Sequence, residues 1–205
     1  MHRITAMIIA ALVMVAGATS QTTWNGDRTH SSVKFTVTHM LISEVEGRFT
    51  DFSVKLQQPK DADFTGSTLE ATIKTASINT DSEGRDRHLR SDDFFNADSF
   101  PEITFKSTVF EKTGKDTYKI TGNLRMRDSI KPVVLDAKFG GQITDKQGNT
   151  KAGFKATTTI DRFEFGTKWA AAIEAGGLVV GKDVVVTLLM EFNKQKPEGA
   201  TEQKK

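Results

Sequence analysis

The chain contains no cysteine, and its 205 residues include only two tryptophans and one tyrosine. Without thiols there is no disulfide support, no thiolate metal site and no cysteine nucleophile. The N-terminus also cannot be acylated in the manner of a bacterial lipoprotein. A Gly-rich phosphate loop is missing too, because Gly140-Gly141 and Gly176-Gly177 stand in the wrong context. No Gly-x-Ser-x-Gly elbow is present. The charge balance is almost even, with 28 Lys and Arg against 26 Asp and Glu. That balance offers no clustered basic surface for nucleic acid. The longest apolar run, Ile4–Val15, falls short of the roughly 20 residues needed to span a bilayer, so stable membrane insertion is not expected.

Against these absences stand fourteen phenylalanines in a chain otherwise rich in Thr, Lys and Asp. Phe buries a large apolar surface and carries no polar handle, so these rings need a dry interior. The N-terminus combines Met1-His2-Arg3, the apolar run and the small residues Ala16-Gly17-Ala18-Thr19-Ser20. That order reads as a cleaved secretory signal over residues 1–20, giving a periplasmic or secreted product. The remaining 185 residues suit one domain, 21–193, large enough to fold on its own core. Residues 194–205, polar and containing Pro197 and Gly199, read as a flexible tail.

From Ser31 onward the dominant period is two. Val33, Phe35, Val37 and His39 alternate with Lys34, Thr36, Thr38 and Met40, which is strand periodicity. Similar stretches follow at Val45–Leu56, Leu69–Ile78, Ile103–Phe110, Tyr118–Met126, Val133–Phe139, Phe154–Ile160 and Val184–Phe192. Turn signals separate several of them, such as Thr113-Gly114-Lys115-Asp116. Eight long sequential strands predict an all-β, antiparallel barrel, which removes its own edges by closure. A β-sandwich fits the same periodicity. A barrel of this size is either just filled by side chains or holds one small ligand. Two segments break the pattern: Asp86–Phe95, compatible with one or two helical turns, and Lys168–Ala175, where Trp169-Ala170-Ala171-Ala172-Ile173 favours a short helix ending at Gly176-Gly177. Both would sit near a barrel mouth.

Candidate site residues fall into three groups. Phe35, Phe49, Phe52, Phe105, Phe154 and Phe165 either fill a core or line an apolar cavity. Arg85, Arg87, His88 and Arg90, just before Phe94-Phe95, form either a polar head-group site at the cavity mouth or a network stapling the loop to the barrel. His30, His39 and His88 would be zinc ligands only if the fold made them converge. No cofactor is expected.

Several motifs resemble the YceI-like domain. They are Asp27-Arg28-Thr29-His30-Ser31-Ser32-Val33-Lys34-Phe35, Gly47-Arg48-Phe49, Ser77-Ile78-Asn79-Thr80, the block Arg85–Phe95 and Phe100-Pro101-Glu102-Ile103-Thr104-Phe105. Gly122-Asn123-Leu124, Lys131-Pro132-Val133 and Arg162-Phe163-Glu164-Phe165-Gly166 continue the match, which spans about Trp24 to Phe192. The resemblance implies an extended eight-stranded lipocalin-like barrel and no catalysis. The implied partner is a long-chain lipid, either a polyisoprenoid or a fatty-chain lipid such as a fatty amide or acid. The ligand-binding residues expected from this reading are Phe35, Phe49, Phe94, Phe95 and Phe105 for the tail, with Arg85, Arg87, His88 and Arg90 for the head. A homodimer is left open. The alternatives are a metal-dependent enzyme acting on a bound lipid through the three histidines, and an envelope interaction module with a filled core. The chain departs from the family pattern at Arg127-Asp128-Ser129-Ile130, where a glycine is usual, and Asp128 is expected to strain that turn.

Overall fold

The computed structural model describes residues 21–59, 63–174 and 176–196; the segment read as a signal lies outside them. The strands are β1 (Gln21–Gly26), β2 (Ser32–His39), β3 (Ser43–Phe49), β4 (Phe52–Pro59), β5 (Thr68–Lys74) and β6 (Ile78–Asn79). They continue with β7 (Glu102–Lys112), β8 (Thr117–Met126), β9 (Ser129–Thr144), β10 (Thr150–Asp161) and β11 (Val180–Lys194). One helix, α1 (Glu83–Arg90), separates β6 from β7.

All pairings are antiparallel, and the ring β1-β4-β5-β7-β8-β9-β10-β11 closes where β11 returns to β1. This is a closed eight-stranded barrel. Its construction is easiest to see in staves. Strands β1 and β2 both pair with β11, as Gly26↔Phe192 and Ser32↔Leu189, so they form one long stave interrupted at residues 27–31. Ser31 bridges the interruption, its Oγ donating to Glu191 O and accepting from Glu191 N at 3.3 and 3.0 Å. Opposite it, β4 pairs with β1 and β3 pairs with β2, so the second stave is broken only at Thr50-Asp51. The third stave, β5 then β6, breaks at a 3-10 turn over Thr75–Ser77. The predicted strands Val45–Leu56 and Leu69–Ile78 are these broken staves. The period-two pattern registers the stave and misses the corner, because a corner changes backbone direction without changing which faces are apolar.

The breaks make the two ends different. At one end β1 closes the cylinder. At the other, β11 hands over to β2, β3 and β6, and the chain leaves β6 for α1. The barrel is therefore sealed at the first end and splayed at the second.

The helix predicted over Lys168–Ala175 is not formed. Ala172 instead bridges Leu178, Ile173 N donates to Gly177 O at 3.1 Å, and Val179 N donates to Ala171 O at 2.9 Å. Gly176 and Gly177 have φ of 84° and 106°, so they reverse the chain where Ala-rich propensity alone would continue a helix. Near residue 86 the helix does form. It starts at Glu83 and ends at Arg90, leaving Phe94 and Phe95 in the following turns. Of the segment read as a tail, Lys194 ends β11 and Gln195 N donates to Thr23 O at 2.8 Å, while residues 197–205 lie outside the described residues.

Candidate functional site: an apolar tunnel and its vestibule

Inward-facing side chains form two adjoining clusters. Toward the sealed end, Trp24, Phe64, Phe110, Tyr118, Phe154 and Phe192 are all buried. Phe64 lies in the β4–β5 connection and drops between Trp24, Phe139 and Phe154, with ring centroids 5.6, 5.4 and 5.1 Å away. Their few polar atoms are satisfied: Trp24 Nε1 donates to Gln58 at 2.8 Å, and the Tyr118 hydroxyl donates to Asp63 O. These rings plug the barrel. Toward the splayed end, Val33, Phe49, Phe52, Ile78, Ile103, Met126, Ile160 and Phe165 form the second cluster.

Between them runs a cavity of about 130 Å³, touched by strands from all round the barrel. Apart from Lys34 and Thr158 its lining is apolar. Phe110, Phe154 and Phe192 form the end nearest the plug, while Phe105, Leu124, Leu188 and Met190 line it further along. A second cavity, of about 380 Å³, lies outside this tunnel at the splayed end. Its walls are Val37 and His39 of β2, Val45 of β3, Gly84, Arg85, His88 and Leu89 of α1, then Phe94, Trp169, Val179 and Val180. Phe35 lines both cavities.

The predicted site residues separate accordingly. Phe35, Phe49 and Phe105 line the tunnel; Phe94 lines the vestibule. Phe95 lines neither and packs edge-on against Phe49 at 5.8 Å. Arg85 and His88, three residues apart on α1, share the helix face toward the vestibule. Arg87 and Arg90 line neither cavity. Arg87 is exposed, and Arg90 donates to Ala76 O and Ile78 O at 2.8 and 2.9 Å, tying the helix to the third stave. The basic run thus divides: Arg85 and His88 border the vestibule, and Arg90 staples the helix to the barrel. The buried Asp86 caps the assembly by accepting from Thr80 N and Oγ1 at 2.8 and 2.6 Å, while Arg85 donates to Thr80 Oγ1 and O, both at 2.8 Å. His88 Nε2 lies 2.9 Å from Asp93 Oδ2, with its ring edge-on to Phe94 and Trp169.

Two buried arginines not foreseen in the sequence hold the mouth. Arg162 donates to Gly181 O, Trp169 O and Val180 O at 2.9, 2.8 and 3.1 Å, fixing the loop that carries Trp169 and Val179. Burial pulls its pKa down from the ordinary value, but an arginine stays charged in a protein. Arg127 donates to Asp92 O and Phe94 O at 2.9 and 2.6 Å and so positions Phe94. The unusual turn strains Arg127 rather than Asp128: Arg127 has φ 54°, and Asp128 keeps an ordinary φ. The guanidinium contacts offset what glycine's freedom would otherwise supply.

The three histidines do not converge. His30 lies just before β2 and His39 at its far end, so the strand, about 23 Å from Ser32 to His39, stands between them. His30 instead neighbours Asp27 and Glu191, and the ligand atoms of the three lie within 4.8 Å of one another. That trio already holds a cation of the chain itself, Lys151, whose Nζ lies 2.5 Å from Glu191 and 3.6 Å from Asp27. Hydrogen bonds from Thr29 and then His30 hold the Asp27 carboxyl far below the usual carboxylate range.

Two glycines explain short sequence motifs that carry no obvious chemistry. A Cβ on Gly47 would lie 2.2 Å from Phe35 Cζ, and one on Gly122 would lie 2.4 Å from Phe105 Cζ. Each glycine leaves a bare patch of strand on which a lining ring rests. The spacing of Gly47 and Gly122 within otherwise good strands was the available signal for these rings.

A model of the YceI-like domain matches residues 24–192. The chain belongs to the YceI-like family. It is 34% identical over 173 residues to a UPF0312 protein of Staphylococcus aureus strain USA300, covering 84% of this chain and 98% of that protein. Among solved structures it is similar to the YceI protein of Campylobacter jejuni, with 31% identity, a TM-score of 0.65 and coverage of 78% and 90% of the two chains. The fold is also shared with BcnA of Burkholderia cenocepacia (20% identity, TM-score 0.70, coverage 81% and 98%). A polyisoprenoid binding domain from Saccharophagus degradans shares it too (14% identity, TM-score 0.58, coverage 84% and 98%). The YceI-like barrel is therefore the scaffold on which the tunnel and vestibule are built.

Proposed function

We propose that this protein is an exported, non-catalytic carrier that holds a long-chain amphiphile, a polyisoprenoid or a fatty amide or acid. The observation that carries the reading is the apolar tunnel, next to a vestibule with polar groups on one wall and sharing Phe35 with it. The tail enters the tunnel, and the head stays among Arg85, His88, His39 and Thr80. Burial supplies affinity at about 25 cal/mol per Å² of apolar surface, reduced by the cost of association and of ordering the chain. The tunnel's volume is close to that of an engineered dry cavity, about 150 Å³, that takes up benzene. A long chain must therefore move flexible lining side chains, and Met190 and Leu188 are suited to it. The polyisoprenoid binding described for the Saccharophagus domain supports the ligand class. Residues 1–20 support delivery to the periplasm or medium.

Native mass spectrometry of freshly purified protein, with solvent extraction of bound species, tests the reading. The expected result is a reproducible lipid adduct. A protein that carries none and also fails to take up added isoprenoids or fatty amides would refute it.

A further inference from the structure

The inner face of β2 passes through both cavities. Val33 lines the tunnel, Val37 and His39 line the vestibule, and Phe35 between them lines both. Its ring lies against bare strand at its registered partner Gly47, and its centroid is 6.0 Å from that of Phe49. The ring is half-buried, in contrast to Phe49 and Phe105. A single aromatic side chain, resting on a glycine, thus stands between the two cavities and borders both.

We propose that Phe35 is a gate between vestibule and tunnel, and that Gly47 is the recess into which its ring folds. The proposal rests on the carrier reading and adds where selection by tail shape takes place. An amphiphile whose head is held in the vestibule must thread its tail past this ring, so Phe35 sets the rates of uptake and release. The recess has a directional consequence. The Cβ of an alanine at residue 47 would occupy the space of the ring and push it off the wall into the passage. Removing the ring and removing the recess therefore act in opposite senses.

Stopped-flow uptake of farnesol, geranylgeraniol and palmitic acid by delipidated protein, read by intrinsic Trp fluorescence or by displacement of a bound dye, tests this. Phe35→Ala is expected to speed uptake and release by about tenfold or more with a smaller change in Kd, because a barrier is removed more than a contact. Gly47→Ala is expected to slow uptake of all three, most for the methyl-branched isoprenoids. Should Phe35→Ala fold poorly, Phe35→Leu keeps the apolar contact and is expected to be faster than wild type in the same order of ligands. Binding by wild type and variants at equal rates overturns the gate and leaves the carrier reading standing. Failure of wild type to bind any of the three overturns the carrier reading and the gate with it.

Discussion

The two ends of the barrel bury aromatic rings for different purposes. At the sealed end Trp24, Phe64, Phe110, Tyr118, Phe154 and Phe192 pack on one another with their few polar atoms bonded inside the plug. At the splayed end Phe35, Phe94 and Trp169 border open space and are positioned by arginines, a helix and a glycine-reversed loop. The first arrangement is a core that happens to terminate a tunnel. The second is a mouth whose walls are assembled from separate parts, each tied by hydrogen bonds to backbone carbonyls. Ring for ring, the plug should supply stability and the mouth should supply access.

The sharpest way to break this contrast is truncation at each end. Trp24→Ala or Phe64→Ala should cost about 3–5 kcal/mol, because each leaves a cavity among rings that cannot collapse. Phe35→Ala should cost only about 1–2 kcal/mol, since its ring is half-buried beside existing space. Urea unfolding midpoints measure both, and equal costs would mean that the two ends are one kind of core.

Next in size is Arg162→Met, expected to cost about 2–4 kcal/mol by leaving the carbonyls of Trp169, Val180 and Gly181 without their donor. Hydrogen exchange should rise over residues 168–180 and stay unchanged over β10 beside the plug. Uniform loosening would show that the mouth is not a separately held unit.

A smaller effect separates two glycines. Gly122→Ala sets its Cβ 2.4 Å from Phe105 Cζ and 2.6 Å from Lys106 O, so an overpacking cost of about 1–3 kcal/mol is expected. At Gly153 a Cβ meets nothing within 4 Å, and Gly153→Ala should stay within about 0.5 kcal/mol. Thermal unfolding of the pair decides whether the ring recess is structural.

The smallest expected effect is pH dependence. At the sealed end Lys112 and then Thr65 hold the Asp63 carboxyl down, to about 2, and at the mouth Lys168 and then Arg127 lower Asp92. Carboxylates with depressed native pKa stabilise the fold above their unfolded values, and that contribution disappears as pH falls through the native ones. Melting temperature should therefore decline from about pH 5 to about pH 2. Both groups are exposed, so the decline should be shallow and weaken with added salt. Asp63→Asn should make the decline shallower, Asp27 and Asp92 keeping the remainder, without altering ligand uptake.

Much of this architecture is legible in the residue pattern. The eight staves appear as eight period-two stretches, including the two that contain corners. The stave half at Gln21–Gly26 was not read as strand, because Gln21-Thr22-Thr23 carries no apolar alternation and is held by pairing with β4 and β11. The basic run Arg85–Arg90 is visible as a cluster, yet its division into vestibule residues and staples follows helical phase, which depends on where α1 begins. At Lys168–Ala175 alanine propensity, which is local, predicts a helix, whereas the hairpin is fixed by two left-handed glycines and by Arg162. Arg127 and Arg162 stand in motifs visible in the sequence, yet nothing in their neighbours marks them as buried.

Alternation along the chain is a short-range property, and it already dictates strands with one apolar face, which a barrel and a sandwich satisfy equally; the return of β11 to β1 makes it a closed barrel. Composition likewise dictates a fold standing on packing and hydrogen bonds, since no thiol is present. Which of the fourteen phenylalanines plug, which line and which gate was decided only when the staves closed. The breaks at residues 27–31, 50–51 and 75–77 splay one end and leave the other sealed. Position along the barrel axis is a relation between distant residues, such as Phe35 over Gly47 or Phe64 against Phe154, and no local period carries it.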